Sequence, residues 1–213
     1  MQLLLIRHGR PHPLQAAPGI GADPGLTTHG HEQADLLGHH LAATRPPAVV
    51  YTSPMLRARE TAAGILRHSP VPLHTDERLR EFDHGAPGYT PPETDTSPAE
   101  VRRAMWRALE TGVWGEHTFD PDAFARQVAA AFADIVAAHP SETVAVVCHS
   151  GVLNSYLGAV LSRPRGMFFQ PDYTSVSRVV ASPGRCQLIS LNETTHLQLD
   201  PRVAQFAERE GRR

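Results

Sequence analysis

Cysteine is scarce in this chain. Only Cys148 and Cys186 occur, far apart and each inside an apolar, strand-like run, which excludes a disulfide scaffold and does not match a zinc pattern. Both are expected to be reduced, buried thiols. Long apolar runs are missing too. The stretch Met1-Gln2-Leu3-Leu4-Leu5-Ile6-Arg7 is too short for a signal core or a membrane span, and no later run reaches spanning length. The cytoplasm is the expected location. Net charge is small as well: 20 Lys plus Arg against 22 Asp plus Glu leave a formal -2. No overall basic field exists to gather nucleic acid or an anionic membrane, so any anion site has to be local. There is no Gly-rich P-loop, no catalytic-cysteine loop and no metal-ligand cluster, so neither cofactor nor metal is expected. The chain also lacks internal repeats.

The remainder has ordinary globular composition. Hydrophobic residues at 41% and charged residues at 20% supply a core, and 213 residues suffice for one sizeable α/β domain but are short for two independent ones. Residues 1–213 are therefore expected to form a single domain.

Leu3 to Ile6 reads as a strand buried on both faces, ending at Arg7-His8-Gly9. A loop rich in proline and glycine follows over 11–25, then a helix from about Thr28 to Ala43 capped by Thr27 or Thr28. A strand over Ala48 to Tyr51 leads to Ser53, expected as N-cap, and Pro54, expected as the first residue of a helix to about Arg67. Residues 71–85 are short-paced, and 86–96 reads as a mobile surface loop. Two helices should follow, one opened by the Ser97-Pro98-Ala99-Glu100 capping box and one by Asp120-Pro121. Thr143 to Cys148 is strand-like and stops at His149-Ser150-Gly151, before a helix with Leu153, Leu157, Val160 and Leu161 on one face. Ser175 to Ala181 and Cys186 to Leu191 form a terminal hairpin around a Pro-Gly turn, and the tail after Asp200 reads as loosely docked. The alternation predicts a three-layer α/β/α fold with a mainly parallel central sheet.

Ligands on such sheets bind beyond the carboxyl ends of the strands. Three strands end in functional groups: the first at Arg7-His8, the second through Ser53 to Arg57, the third at His149-Ser150. Two guanidiniums and two imidazoles thus converge, with helix N-termini adding N–H donors, on what reads as a phosphate site. Arginine suits it, because its fork binds two phosphate oxygens and stays charged. A neutral imidazole can attack phosphorus in line if its other nitrogen is held as a donor, commonly by a backbone carbonyl. A nearby carboxylic acid can protonate the leaving oxygen and then activate water.

These residues carry a resemblance. Arg7-His8-Gly9, the run from Ser53 through Arg57 to Ala62, and His149-Ser150-Gly151 resemble the signature segments of the histidine phosphatase superfamily, phosphoglycerate-mutase-like branch. Leu26 to Ala34 and Leu188 to Leu197 are similar to further segments of that family. The likeness runs from residue 3 to about 197, and is weak over 83–142, where it implies a variable lid or insert. It implies His8 as the phosphorylated nucleophile, and Arg7, Arg57 and His149 as ligands of the transferring group. The family's acid/base carboxylate falls on Glu81, with Asp83 as the fallback. Gly9 and Ser150 would assist through backbone or hydroxyl contacts.

Mutases of this branch follow R-H-G with Glu and Thr, and with Asn four positions further on. Here Arg10-Pro11-His12-Pro13-Leu14 stands instead, and the long basic segment of the mutases is absent. Hydrolysis of a small phosphorylated metabolite is therefore preferred to transfer between hydroxyls. The alternatives are mutase-type transfer, a protein-phosphohistidine phosphatase and a non-catalytic phosphate-binding module. A homodimer is left open. His29, His31, His39 and His40 lack dependable metal-ligand spacing. His12 and His84 lie near the expected crevice, and Trp106, Trp114, Phe168 and Phe169 read as core or rim packing.

Overall fold

The computed structural model describes residues 1–17, 20–91, 103 and 106–198. The elements in chain order are β1 (Gln2–Arg7), β2 (Leu14–Gln15), α1 (Thr28–Thr44), β3 (Val49–Thr52), α2 (Leu56–Leu66), β4 (Leu73–Thr75) and β5 (Gly88–Tyr89). After them come α3 (Ala108–Thr111), β6 (Val113–Trp114), β7 (His117–Thr118), α4 (Pro121–Ala138), β8 (Thr143–Cys148), α5 (Ser150–Val160), β9 (Val176–Ser182), β10 (Arg185–Glu193) and α6 (Thr195–Gln198). The main sheet runs β10-β9-β1-β8-β3-β4. Its β1, β8, β3 and β4 are parallel, while β9 and β10 form an antiparallel hairpin along β1. No described helix is long and apolar enough to cross a membrane.

The period-2 alternation of a strand divides the core between the two sheet faces. Leu4 and Ile6 of β1 point to the side covered by α1 and α2, where they meet Leu37, Leu41, Ala62 and Ile65. Leu3 and Leu5 point the other way, toward Val128, Phe132, Ile135, Leu153 and Leu157 of α4 and α5. These side chains are all but inaccessible, and each such Leu or Ile stabilises the fold by about 1.5–3 kcal/mol relative to an exposed one. This is the expected three-layer α/β/α arrangement.

Several details depart from the sequence expectation. Helix α2 begins at Leu56 rather than Pro54, and Met55, in extended conformation, precedes it with no side-chain cap of its own. The carboxylate of Asp23, from the 11–25 loop, accepts the Leu56 N–H at 2.9 Å instead. Cys148 is buried as expected, but Cys186 is exposed, because β10 is the edge of the sheet. Leu161 lies past the end of α5 and is 42% exposed. The short-paced segment contains β4, and the loop after it is partly ordered, with Tyr89 and Gly88 pairing with Leu14 and Gln15. The capping box at 97–100 and the tail after Asp200 lie outside the described residues.

Candidate active site

Parallel pairing sets Arg7 opposite Cys148 and Thr52 opposite Val147, so three strands end at nearly one level. The residues that follow are therefore delivered together. The rings of His8 and His149 have centroids 5.1 Å apart, and both residues are buried. The His8 N–H donates to the Cys148 carbonyl, which pins the first chain turn to the neighbouring strand. The Gly9 N–H donates to Thr61 Oγ1 at 2.9 Å, and the Thr61 hydroxyl donates to the Arg57 carbonyl at 2.7 Å. Thr61 thereby couples the loop after β1 to the helix that carries Arg57.

His8 Nδ1 lies 2.8 Å from the Gly9 carbonyl. A carbonyl only accepts, so Nδ1 carries the ring proton and Nε2 keeps its lone pair. Burial, reinforced by Arg57 and Arg7, holds the His8 pKa well below the usual histidine range despite the opposing Gly9 bond. The ring is neutral at pH 7. Burial and the charges of Arg57, His8 and Arg7 act on His149 in the same sense. His149 Nε2 sits 2.8 Å from Ser53 Oγ. If the neutral ring accepts that hydroxyl proton, its own proton is on Nδ1, a buried atom with no hydrogen-bond partner among the described residues.

Arg57 is 1% exposed. Its Nη2 donates to both Asp83 carboxylate oxygens, at 3.0 and 3.3 Å, and its guanidinium lies 4.7 Å over the Tyr89 ring. Burial alone would lower its pKa, but Asp83, Tyr89, Glu81 and Asp23 together raise it, so it stays charged. Arg57 Nε and Nη1 and Arg7 Nε are buried without hydrogen-bond partners among the described residues. Arg7 donates from Nη1 to the Pro171 carbonyl at 2.6 Å and lies 3.9 Å over the Tyr173 ring.

Glu81 follows the short 3-10 turn Glu77–Leu79. Its Oε2 accepts the Gly151 N–H at 2.6 Å, and its Oε1 accepts the Phe82 N–H at 3.0 Å. A Cβ on residue 151 would stand 2.3 Å from Glu81 Oε1, so glycine is what admits the carboxyl to the start of α5. Burial and the Asp83 carboxylate push the Glu81 pKa up to about 7, against the two N–H bonds and Arg57. A carboxyl titrating there can both give and take a proton near neutrality.

Arg7, His8, Arg57, Glu81, Asp83 and Ser150 line one pocket, and the fully buried His149 ring stands beside that of His8. Gly9 does not line it, and both its backbone polar groups are engaged, so it holds the loop. Gln170 Nε2 donates to Ser150 Oγ at 3.4 Å. Arg59, also on α2, is exposed, as are His12 and His84. No described group of three His, Cys, Asp or Glu could hold a metal ion. The sequence reading missed Ser53 as a histidine partner, and also Thr61, Tyr89 and Tyr173. Ser53 and Thr61 stood inside the signature run, whereas Tyr89 lay in a segment read as a loose loop.

The family model described as histidine phosphatase superfamily (branch 1) matches residues 3–194. The chain is similar to phosphoserine phosphatase 1 of Hydrogenobacter thermophilus, 27% identical, with 92% of this chain and 94% of that protein covered. It is also 36% identical to the 2,3-bisphosphoglycerate-dependent phosphoglycerate mutase of Bartonella quintana, over 49% of this chain and 54% of that one. Among solved structures, Bacillus stearothermophilus YhfR is 27% identical, with a TM-score of 0.71 and coverage of 92% of this chain and 98% of that chain.

Proposed function

The chain belongs to the histidine phosphatase superfamily, branch 1, and from that premise we propose that it hydrolyses phosphomonoesters of small metabolites through a phosphohistidine intermediate on His8. One observation carries the reading: a neutral His8, with its Nε2 lone pair free, shares a pocket with two buried arginines and a carboxyl titrating near 7.

The His8 Nε2 lone pair forms the N–P bond as the ester P–O bond breaks. The departing alkoxide oxygen takes its proton from the Glu81 carboxyl. Arg7, Arg57 and the Nδ1–H of His149 receive the charge that builds on the equatorial oxygens. In the second half, the Glu81 carboxylate takes a proton from water, the water oxygen bonds to phosphorus, and the N–P bond breaks. Inorganic phosphate leaves and His8 is neutral again. Asp83 is bonded to Arg57, which favours Glu81 over it as the acid. Hydrolysis is favoured over transfer by the sequence at Arg10 to Leu14, which lacks the mutase residues, and the pocket lining offers no cation beyond Arg7 and Arg57 among the described residues.

The reading extends to a cytoplasmic enzyme without cofactor, formed as one domain over residues 1–213 with 83–142 as a variable lid or insert, of which α4 packs into the core. Tyr89, Trp106 and Trp114 from that stretch line the pocket, which supports the lid assignment. The test is phosphate release from a broad panel of phosphomonoesters, run with chelator present for wild type and His8→Ala. Release that survives chelator and vanishes in the variant is expected. No release from any ester by the wild type would contradict the proposal.

A further inference from the structure

Apart from the phosphate groups, the pocket wall is largely apolar. Phe82, Tyr89, Trp106, Trp114 and Met167 form it. Trp114 stands edge-on to Phe82 at 5.3 Å, and Phe82 stacks on Phe119 at 5.0 Å, so packing fixes these rings before any substrate arrives. Trp106 stays 41% exposed, a large aromatic face on the lining. The charged side chains lining the pocket, among the described residues, all belong to the phosphate machinery: Arg7, Arg57, Glu81 and Asp83.

That inventory separates two kinds of substrate. A phosphorylated carboxylic acid brings a second anion, which needs a cation of its own once water is excluded. Arg57 is shared with Asp83, and Arg7 with Tyr173 and Pro171. The extra carboxylate would instead face Glu81 and Asp83. An uncharged arene suffers no such penalty, and gains from burial and ring contact against Trp106, Trp114 and Phe82.

We propose, on the basis of the hydrolase reading above, that this pocket selects phosphomonoesters whose alcohol bears an uncharged aromatic group and discriminates against phosphorylated carboxylic acids. Phosphoserine and phosphoglycerate belong to the disfavoured class.

The test compares kcat/KM for 2-phenylethyl phosphate, phosphoserine, 3-phosphoglycerate and glycerol 3-phosphate. All four are alkyl esters, so leaving-group reactivity does not imitate recognition. The phenylethyl ester should exceed the two acids by roughly ten- to a hundredfold. In Trp106→Ala, the ratio of phenylethyl to glycerol ester should fall several-fold, mainly through KM, and Trp106→Phe should restore most of it. Acids used equally well or better, or a ratio indifferent to Trp106, overturn the aromatic pocket and leave the hydrolase reading standing. If the wild type turns over none of the four, nor any ester of the broader panel, both readings fail together.

Discussion

At the scale of single residues, burial holds two groups in their uncharged forms, lowering the His8 pKa and raising that of Glu81. His8 is kept neutral well below pH 6.5, and Glu81 keeps its proton up to about pH 7. Attack requires the neutral imidazole, and leaving-group departure requires the protonated carboxyl. Activity should therefore persist on the acid side and fall as pH rises through about 7. In Glu81→Gln that alkaline limb should vanish, and kcat for alkyl esters should drop roughly a hundred- to ten-thousandfold. Aryl esters, whose phenolate leaves without help, should lose far less, and equal losses for both classes would remove Glu81 from the acid role. Ser53→Ala should lower kcat roughly tenfold or more by releasing the His149 tautomer, by analogy with the loss of one transition-state donor; Ser53→Thr should recover part of it. The meeting of His8, Arg7, Arg57 and His149 at one end of the sheet was legible because each sits at a strand end or first helical turn within a signature segment. Ser53 was misread, since Ser-Pro before a helix carries an equally good capping signal. Only the third dimension reveals that its hydroxyl is 2.8 Å from His149.

At the scale of elements, the position of Arg57 depends on how closely α2 meets α1. A Cβ added at Gly64 would lie 2.7 Å from the Ala34 Cβ, and one at Gly38 would lie 2.5 Å from the Gly64 carbonyl. The two glycines let the helix backbones approach where larger residues would hold them apart. Gly64→Ala should cost about 1–3 kcal/mol through overpacking, read as a lower midpoint of chemical unfolding. It should also raise KM if the shift reaches Arg57. Long periodic elements such as α1, α4 and β8 were readable from sequence, because their burial follows a regular period. Strand β4 was not, since all three of its residues are exposed on the sheet edge and show no alternation. The start of α2 escaped for a different reason: its capping carboxylate, Asp23, comes from a loop more than thirty residues earlier, and local signals cannot show it.

At the scale of the molecule, the same buried groups shape stability. His196 is held down to about pKa 4, chiefly by burial and then by His40. The unfolded chain therefore binds more protons between about pH 4 and 6.5, so this contribution is complete above 6.5 and is lost on acidification. At pH 5 the loss is roughly 2 kcal/mol from His196. His8 and His149 act in the same direction, while the raised Glu81 opposes them, losing stability as pH rises from about 4.5 to 7. Thermal unfolding should therefore occur at a lower temperature at pH 5 than at pH 7, and an unchanged midpoint would contradict these assignments. The layered fold was legible from the alternation of strands and helices, and it is that fold which brings His8 and His149 to one level. The aromatic wall was not, because Trp106, Trp114 and Tyr89 come from segments whose packing depends on distant partners. The central claim is covalent, and rapid acid-free quench of the enzyme with phosphorus-labelled ester tests it most directly. The account predicts a base-stable, acid-labile label that maps to His8 and is absent in His8→Ala. Steady turnover with no label at any quench time, or a label retained in that variant, would contradict it.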